Sequence, residues 1–168
     1  NSYKEQQARA IQAQSNLQQL EREVRENPTN FQGAFNLSST YMQLQQTNRA
    51  MQVLDGLLNN TQADVNVVMG VVQAYNQLKN YPKLEAALEK FVKVSPNNPE
   101  AWYDLAALKA ALGKPPEAIQ NLRRALELSA QRLARDPKQL DLRAKASIDP
   151  PFNALRQSRE FQALLVPK

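Results

Sequence analysis

The side chains that most often carry out chemistry near neutral pH are missing from this chain. Its 168 residues include neither histidine nor cysteine. That removes imidazole acid–base catalysis, thiol nucleophiles, disulfides and His- or Cys-based zinc sites. Serine, lysine, tyrosine and the carboxylates remain. Glu21, Glu23 and Glu26 lie together beside Arg22 and Arg25, and ion pairing on a solvated face accounts for them. Glu100 and Asp104 are four residues apart and share a helix face, a spacing typical of helix surfaces. Neither G-x-G-x-x-G nor a phosphate loop occurs. The residues therefore point away from catalysis, and no metal or cofactor is expected. The function class left is binding, which depends on the elements that present a surface.

Those elements are clearest between Asn98 and Ala130. Trp102, Leu105, Ala106 and Leu112 recur at helical steps. Gly113 then ends a helix, and Pro115 and Pro116 fit only the opening of another. Ala118, Ile119, Leu122, Ala125, Leu126 and Leu128 form its apolar stripe. Two such stripes cannot be buried by one helix pair alone. Stepping back 34 residues from Trp102, Leu105, Ala118, Leu122 and Ala125 reaches Val68, Val71, Leu84, Leu88 and Phe91. A second step reaches Ala34, Leu37, Ala50, Leu54 and Leu57. Asn30, Asp64 and Asn98 keep the same spacing and are good helix N-caps. Trp102, on the central stripe of the third unit, is expected to be buried. Gln45 and Lys79 stand where the third unit has Gly113, which predicts two looser turns.

A helix–turn–helix period of 34 residues is the signature of the tetratricopeptide repeat. The chain resembles bacterial members of that family, most closely over WYDLAALKAALGKPPEAIQNLRRALEL. The resemblance implies an all-α, right-handed solenoid with three repeats at 31–64, 65–98 and 99–132. A helical segment, 1–30, precedes them and a capping segment, 133–168, follows. It also implies a concave groove lined by the first helix of each pair. The ligand-facing positions by resemblance are Gln32, Phe35, Ser39, Met42 and Gln43 in the first unit. In the second they are Asn66, Met69, Gln73, Asn76 and Gln77. In the third they are Glu100 and Tyr103, with Ala107, Ala110 and Ala111 beyond. Amide side chains can bond an extended peptide backbone, and Met and aromatic side chains fill pockets. Relatives that hold acidic chaperone tails place cations in the groove; here Phe35, Ser39, Met69, Gln73, Tyr103 and Ala107 occupy those places, so no carboxylate clamp is expected.

The expected function is a non-catalytic interaction scaffold whose partner is a protein or peptide. The alternative is a structural spacer or self-assembly module of a membrane-anchored protein such as a glycosyltransferase, a setting in which the resemblance often places such repeats. Nucleic acid is not expected as a partner. The net charge is +5, but residues 1–113 carry ten Lys/Arg against ten Asp/Glu, and residues 114–168 carry eleven against six. This basic end lacks the interleaved aromatics of single-strand binders. No run is long and apolar enough to span a membrane, no signal peptide is present, and the absence of a starting methionine suggests a fragment of a longer protein.

Residues 2–26 read as one helix. Ala10, Ala13, Leu17, Leu20 and Val24 form a short heptad seam that allows at most a weak homodimer. Residues 13–27 fit the second helix of a degenerate unit covering the first repeat. Thr47 is expected to cap a helix over 48–60, the Asn80-Tyr81-Pro82 run to open one, and Asp136-Pro137 to end one. Residues 138–148 are ambiguous between a short helix and irregular chain. Phe152, Leu155, Phe161, Leu164 and Leu165 are spaced as two short amphipathic helices, expected to fold back over residues 116–134.

Overall fold

The computed structural model describes residues 2–167, and among them the regular structure is helical throughout. The helices are α1 (Ser2–Glu26), α2 (Phe31–Gln43), α3 (Thr47–Asn59), α4 (Val65–Gln77), α5 (Tyr81–Val94), α6 (Pro99–Ala111), α7 (Pro115–Arg135), α8 (Leu142–Ile148) and α9 (Arg159–Leu165). A short 3-10 helix, Pro150–Leu155, lies between the last two. The chain divides into two compact units, one up to Ala74 and one from Tyr75.

The helix starts follow the capping chemistry of the sequence. The side chains of Asn30 and Asn98 accept from the backbone N–H groups of Gly33 and Ala101, at 2.9 and 3.2 Å. Asp64 accepts from those of Asn66 and Val67. Each cap satisfies donors that the first helical turn leaves unpaired. Thr47 is not a cap: Gln46 holds that position, without a side-chain bond, and Thr47 is the first helical residue.

The turns are a correction to the reading of Gln45 and Lys79. All three equivalent positions adopt the left-handed conformation, with φ of 59° at Gln45, 52° at Lys79 and 72° at Gly113. Each turn closes with the same bonds. Gln46, Asn80 and Lys114 donate backbone N–H to the carbonyls of Tyr41, Tyr75 and Lys109, and Gln45, Lys79 and Gly113 donate to Met42, Asn76 and Ala110. This is the Schellman arrangement that glycine favours. The first two turns are as tight as the third; what differs is that a side chain there bears the left-handed strain.

In the first unit, Leu17, Leu20 and Val24 of α1 pack on the cluster of Leu37, Tyr41 and Ala50. Ser38 Oγ donates to the Ala50 carbonyl across the α2–α3 contact. Glu21 is not a free surface carboxylate. It accepts the Tyr41 hydroxyl proton at 2.5 Å, and the Arg49 guanidinium lies 3.8 Å from it. Burial, then the Glu21 bond, holds the Tyr41 phenol above its usual pKa. Residues 2–16 of α1 are exposed throughout.

In the second unit, α6 and α7 bury Ala106, Ala118, Leu122, Ala125 and Leu126. Three helices are also joined through one ammonium. Lys109 of α6 is only 4% exposed, yet its Nζ donates to Glu89 of α5 at 2.8 Å and to Glu117 of α7 at 2.5 Å, with Glu85 at 3.6 Å. Burial alone would lower its pKa; the bonds to Glu117 and Glu89 outweigh that and hold it above the ordinary lysine value. Trp102 is half-buried rather than enclosed. Its ring packs against the edge of the core while its N–H donates to the Pro96 carbonyl at 2.8 Å, so the indole stays at the surface beside the α5–α6 connection.

Because Gln45 and Lys79 bear strain that glycine would not, Gln45→Gly and Lys79→Gly should each raise unfolding stability, by about 0.5–1 kcal/mol. Gly113→Ala should lower it by about 1 kcal/mol. Urea unfolding of the three variants measures the signs, and destabilisation by both glycines would reject the shared turn geometry.

Candidate interaction surface

The positions expected to face a ligand differ between the two units, and Asn36 of α2, not among those expected, joins them. On α2, Gln32, Asn36, Ser39 and Gln43 are exposed. Their spacing of four, three and four residues sets them in one row along the helix. Gln32 Nε2 donates to Asn36 Oδ1 at 3.0 Å, so neighbouring amides align one another. On α4, Asn66 and Gln73 are exposed and Met69 is 37% exposed. Phe35 is half-buried, with its ring edge facing Gly70. A Cβ placed on Gly70 would stand 2.6 Å from Phe35 Cζ, so the glycine lets α2 and α4 approach with the ring between them. Met42 is half-buried against the Leu37, Tyr41 and Ala50 cluster; it walls the core more than it lines a groove. Asn76 and Gln77, the last α4 residues, are exposed in the second unit.

The third set is a correction. Tyr103 is 2% exposed. Its hydroxyl donates to Asp149 at 2.7 Å, and Phe152 meets its ring edge-on with centroids 5.5 Å apart. Phe152 in turn packs on Phe161 at 5.7 Å, and Lys145 Nζ lies 4.7 Å from the Tyr103 ring centroid. Burial, reinforced by the Asp149 bond, pushes the tyrosine pKa well up, so it remains a neutral donor. Glu100 is likewise engaged, with Arg132 at 2.6 Å. The C-terminal tail thus lies over the face of α6 where a partner was expected. Leu142, Phe152, Leu155 and Phe161 are all buried with α6 and α7. Residues 138–148, ambiguous in sequence, supply α8, capped by Asp141 and anchored where Leu142 N–H donates to Ser129 Oγ.

Two features escaped the sequence reading. One is a groove of about 570 Å³ beside the tail, floored by Leu126, Ala130 and Leu164 and edged by Arg123, Arg143, Glu127 and Glu160. Leu126 and Ala130 come from α7, and α9 adds Leu164 when it folds back. The other was visible in the sequence: α2 and α4 contain no Asp, Glu, Lys or Arg at all. Their exposed polarity is carried by amides and hydroxyls. Among the described residues no group of His, Cys, Asp or Glu is arranged to hold a metal ion, and no helix is long and apolar enough to cross a membrane.

Comparison with known proteins agrees with this architecture. The family model described as tetratricopeptide repeat matches residues 87–120, from the middle of α5 to early α7. Solved structures similar to the chain include two of MamA, a tetratricopeptide-repeat protein. One, a crystal structure of MamA protein, has 16% identity and a TM-score of 0.53, covering 96% of this chain and 85% of that one. The other has 17% identity and a TM-score of 0.50, covering 95% and 91%. No curated protein sequence matches the chain. The chain therefore has the all-α tetratricopeptide-repeat fold, with an additional N-terminal helix and a C-terminal segment closing over α6 and α7.

If Tyr103 belongs to the core, Tyr103→Phe should cost about 1 kcal/mol through the lost Asp149 bond. Tyr103→Ala should cost about 3–5 kcal/mol. Chemical denaturation checks both, and an unchanged midpoint for Tyr103→Ala would return the residue to the ligand-facing surface.

Proposed function

We propose that this chain is a non-catalytic protein–protein interaction scaffold. Its contact surface is the exposed face of α2 and α4, with Gln32, Asn36, Ser39, Gln43, Asn66 and Gln73 as polar contacts and Met69 as the apolar anchor. Phe35 supports it from below. The single observation that carries the reading is that these side chains are open to solvent in the first unit, whereas Glu100 and Tyr103 are engaged by the chain's own residues. The fold adds weight, since repeats of this type present the first helices of their pairs as a binding face. The proposed organisation is residues 1–30 as the N-terminal helix, repeats at 31–64, 65–98 and 99–132, and the cap at 133–168. Its polar contacts are neutral amides and a hydroxyl, groups that hydrogen-bond rather than transfer protons near neutral pH, which supports a binding role.

One observation favours a second role as a spacer. The first half of α1 makes no buried contact with the rest of its unit, as a stalk would. The heptad seam there is short, and Leu17, Leu20 and Val24 are already used against α2, so any homodimer through it is weak.

The double variant Met69→Ala/Gln73→Ala should lower partner capture by at least about tenfold, equivalent to about 1.4 kcal/mol, while leaving the melting temperature nearly unchanged. Affinity capture by the wild-type and variant chains, with thermal unfolding in parallel, measures both. Equal capture by the variant moves the contact surface elsewhere.

A further inference from the structure

We propose that the groove between α7 and α9 docks an amphipathic helix whose apolar stripe is flanked by carboxylates. This surface belongs to the second unit and is independent of the α2 and α4 face. The groove, of about 570 Å³, has Leu126, Ala130 and Leu164 on its floor. Val166 lines it as well and is 63% exposed, and Ala130 also meets solvent. The tail buries Phe152 and Phe161 with α6 and α7, yet leaves this apolar strip open.

A helix fits these walls better than an extended peptide. The exposed α7 positions along the groove run from Arg123 through Glu127 to Gln131, a row about 12 Å long. Apolar anchors at i, i+3 or i+4 and i+7 of a partner helix span about 10 Å. The backbone of α7 is bonded within its own helix and offers an extended chain no ladder to join. At the end of α9 the Leu164 carbonyl is taken by Arg143 Nε, at 3.2 Å. A partner here must satisfy its own main chain, which a helix does.

The rim sets the charge of that partner. Glu127 faces Arg124, 3.7 Å away on its own helix. Glu160 stands in the first turn of α9, where unpaired helix N–H groups favour an acid. The chain thus accounts for both carboxylates itself. Arg123 and Arg143, from α7 and α8, have no ion-pair partner among the described residues. The Leu164 bond uses only Nε of Arg143, which leaves its terminal nitrogens to a ligand. Guanidinium groups match carboxylates in charge and in geometry. Residues 114–168 carry eleven Lys/Arg against six Asp/Glu, so the surrounding field draws an acidic partner in. The volume alone would also suit a small amphiphile; the two-turn wall and the two arginines on different helices favour a helix.

The test titrates the full chain with synthetic helical peptides about 15 residues long, with blocked ends. One has an apolar stripe flanked by glutamates, and a second has the same stripe flanked by lysines. A third is the acidic peptide with its apolar positions scrambled around the helix. Dodecanoate is titrated alongside. The acidic amphipathic peptide should bind with a Kd below about 100 μM, at least about tenfold tighter than the other two. Its affinity should fall about threefold or more between roughly 50 and 500 mM salt. Ala130→Gln should weaken it at least about fivefold. Arg123→Glu should shift preference toward the lysine peptide. Both residues are exposed, so both variants should keep the wild-type melting temperature. Met69→Ala/Gln73→Ala should leave the binding unaltered. No binding, equal binding of the three peptides, or preference for the lysine peptide by the wild-type chain would overturn the inference. So would binding lost in Met69→Ala/Gln73→Ala but kept in Ala130→Gln. Dodecanoate bound in place of peptide would overturn it in favour of a small amphiphile.

Discussion

The contact of Phe152 with Tyr103 on one side and Phe161 on the other makes the outer face of α6 part of the core of its unit. A helix pair has two apolar stripes and can satisfy one by packing its helices together; the other needs a further layer. For α6 and α7 that layer is the tail. Phe152, Phe161, Leu142 and Leu155 are each no more than 5% exposed, and burying each of them contributes about 1.5–3 kcal/mol before ordering entropy. That much buried apolar surface makes the segment part of the core of its unit. It closes the face of α6, whereas Gln32, Asn36, Ser39 and Gln43 of α2 stay exposed.

Charge is distributed to match. In the second unit ionised groups do structural work: Lys109 gathers Glu89 and Glu117 from two other helices, Lys114 holds Glu85, and Arg132 joins Glu100 to the Leu140 carbonyl. Such pairs hold helices in one relative arrangement, at a desolvation cost that their mutual bonds offset. In the first unit Glu21 of α1 meets Tyr41 of α2 and Arg49 of α3. The outer faces of α2 and α4 stay free of charge.

Much of the fold was legible because it rests on periodic local rules. The 34-residue step placed the helix pairs, and Asn30, Asp64 and Asn98 cap helices where their side chains can reach free N–H groups. What was not legible depends on contacts distant in sequence. Trp102 and Tyr103 are adjacent aromatics on one helix, and spacing alone favoured the tryptophan for the core. The choice was made by Asp149 and Phe152, 46 and 49 residues further on. Gln45 and Lys79 misled for another reason. Glycine is the residue that adopts a left-handed turn at least cost, but closing the turn repays the strain of another side chain. The charge-free composition of α2 and α4 was in plain view, but it became a property of a surface only when the helices set Gln32, Asn36, Ser39 and Gln43 in one row.

The central claim, that the tail is core with α6 and α7, is tested most directly by native-state hydrogen exchange of the full chain. The backbone N–H groups of Leu142, Phe152, Phe161 and Gln162 all have partners in the fold. The account predicts that they exchange with the same opening free energy as the amides of α6, because the two segments share one core. Exchange of residues 149–165 at the rate of a free peptide, with α6 still protected, would contradict it and place α6 on the open face.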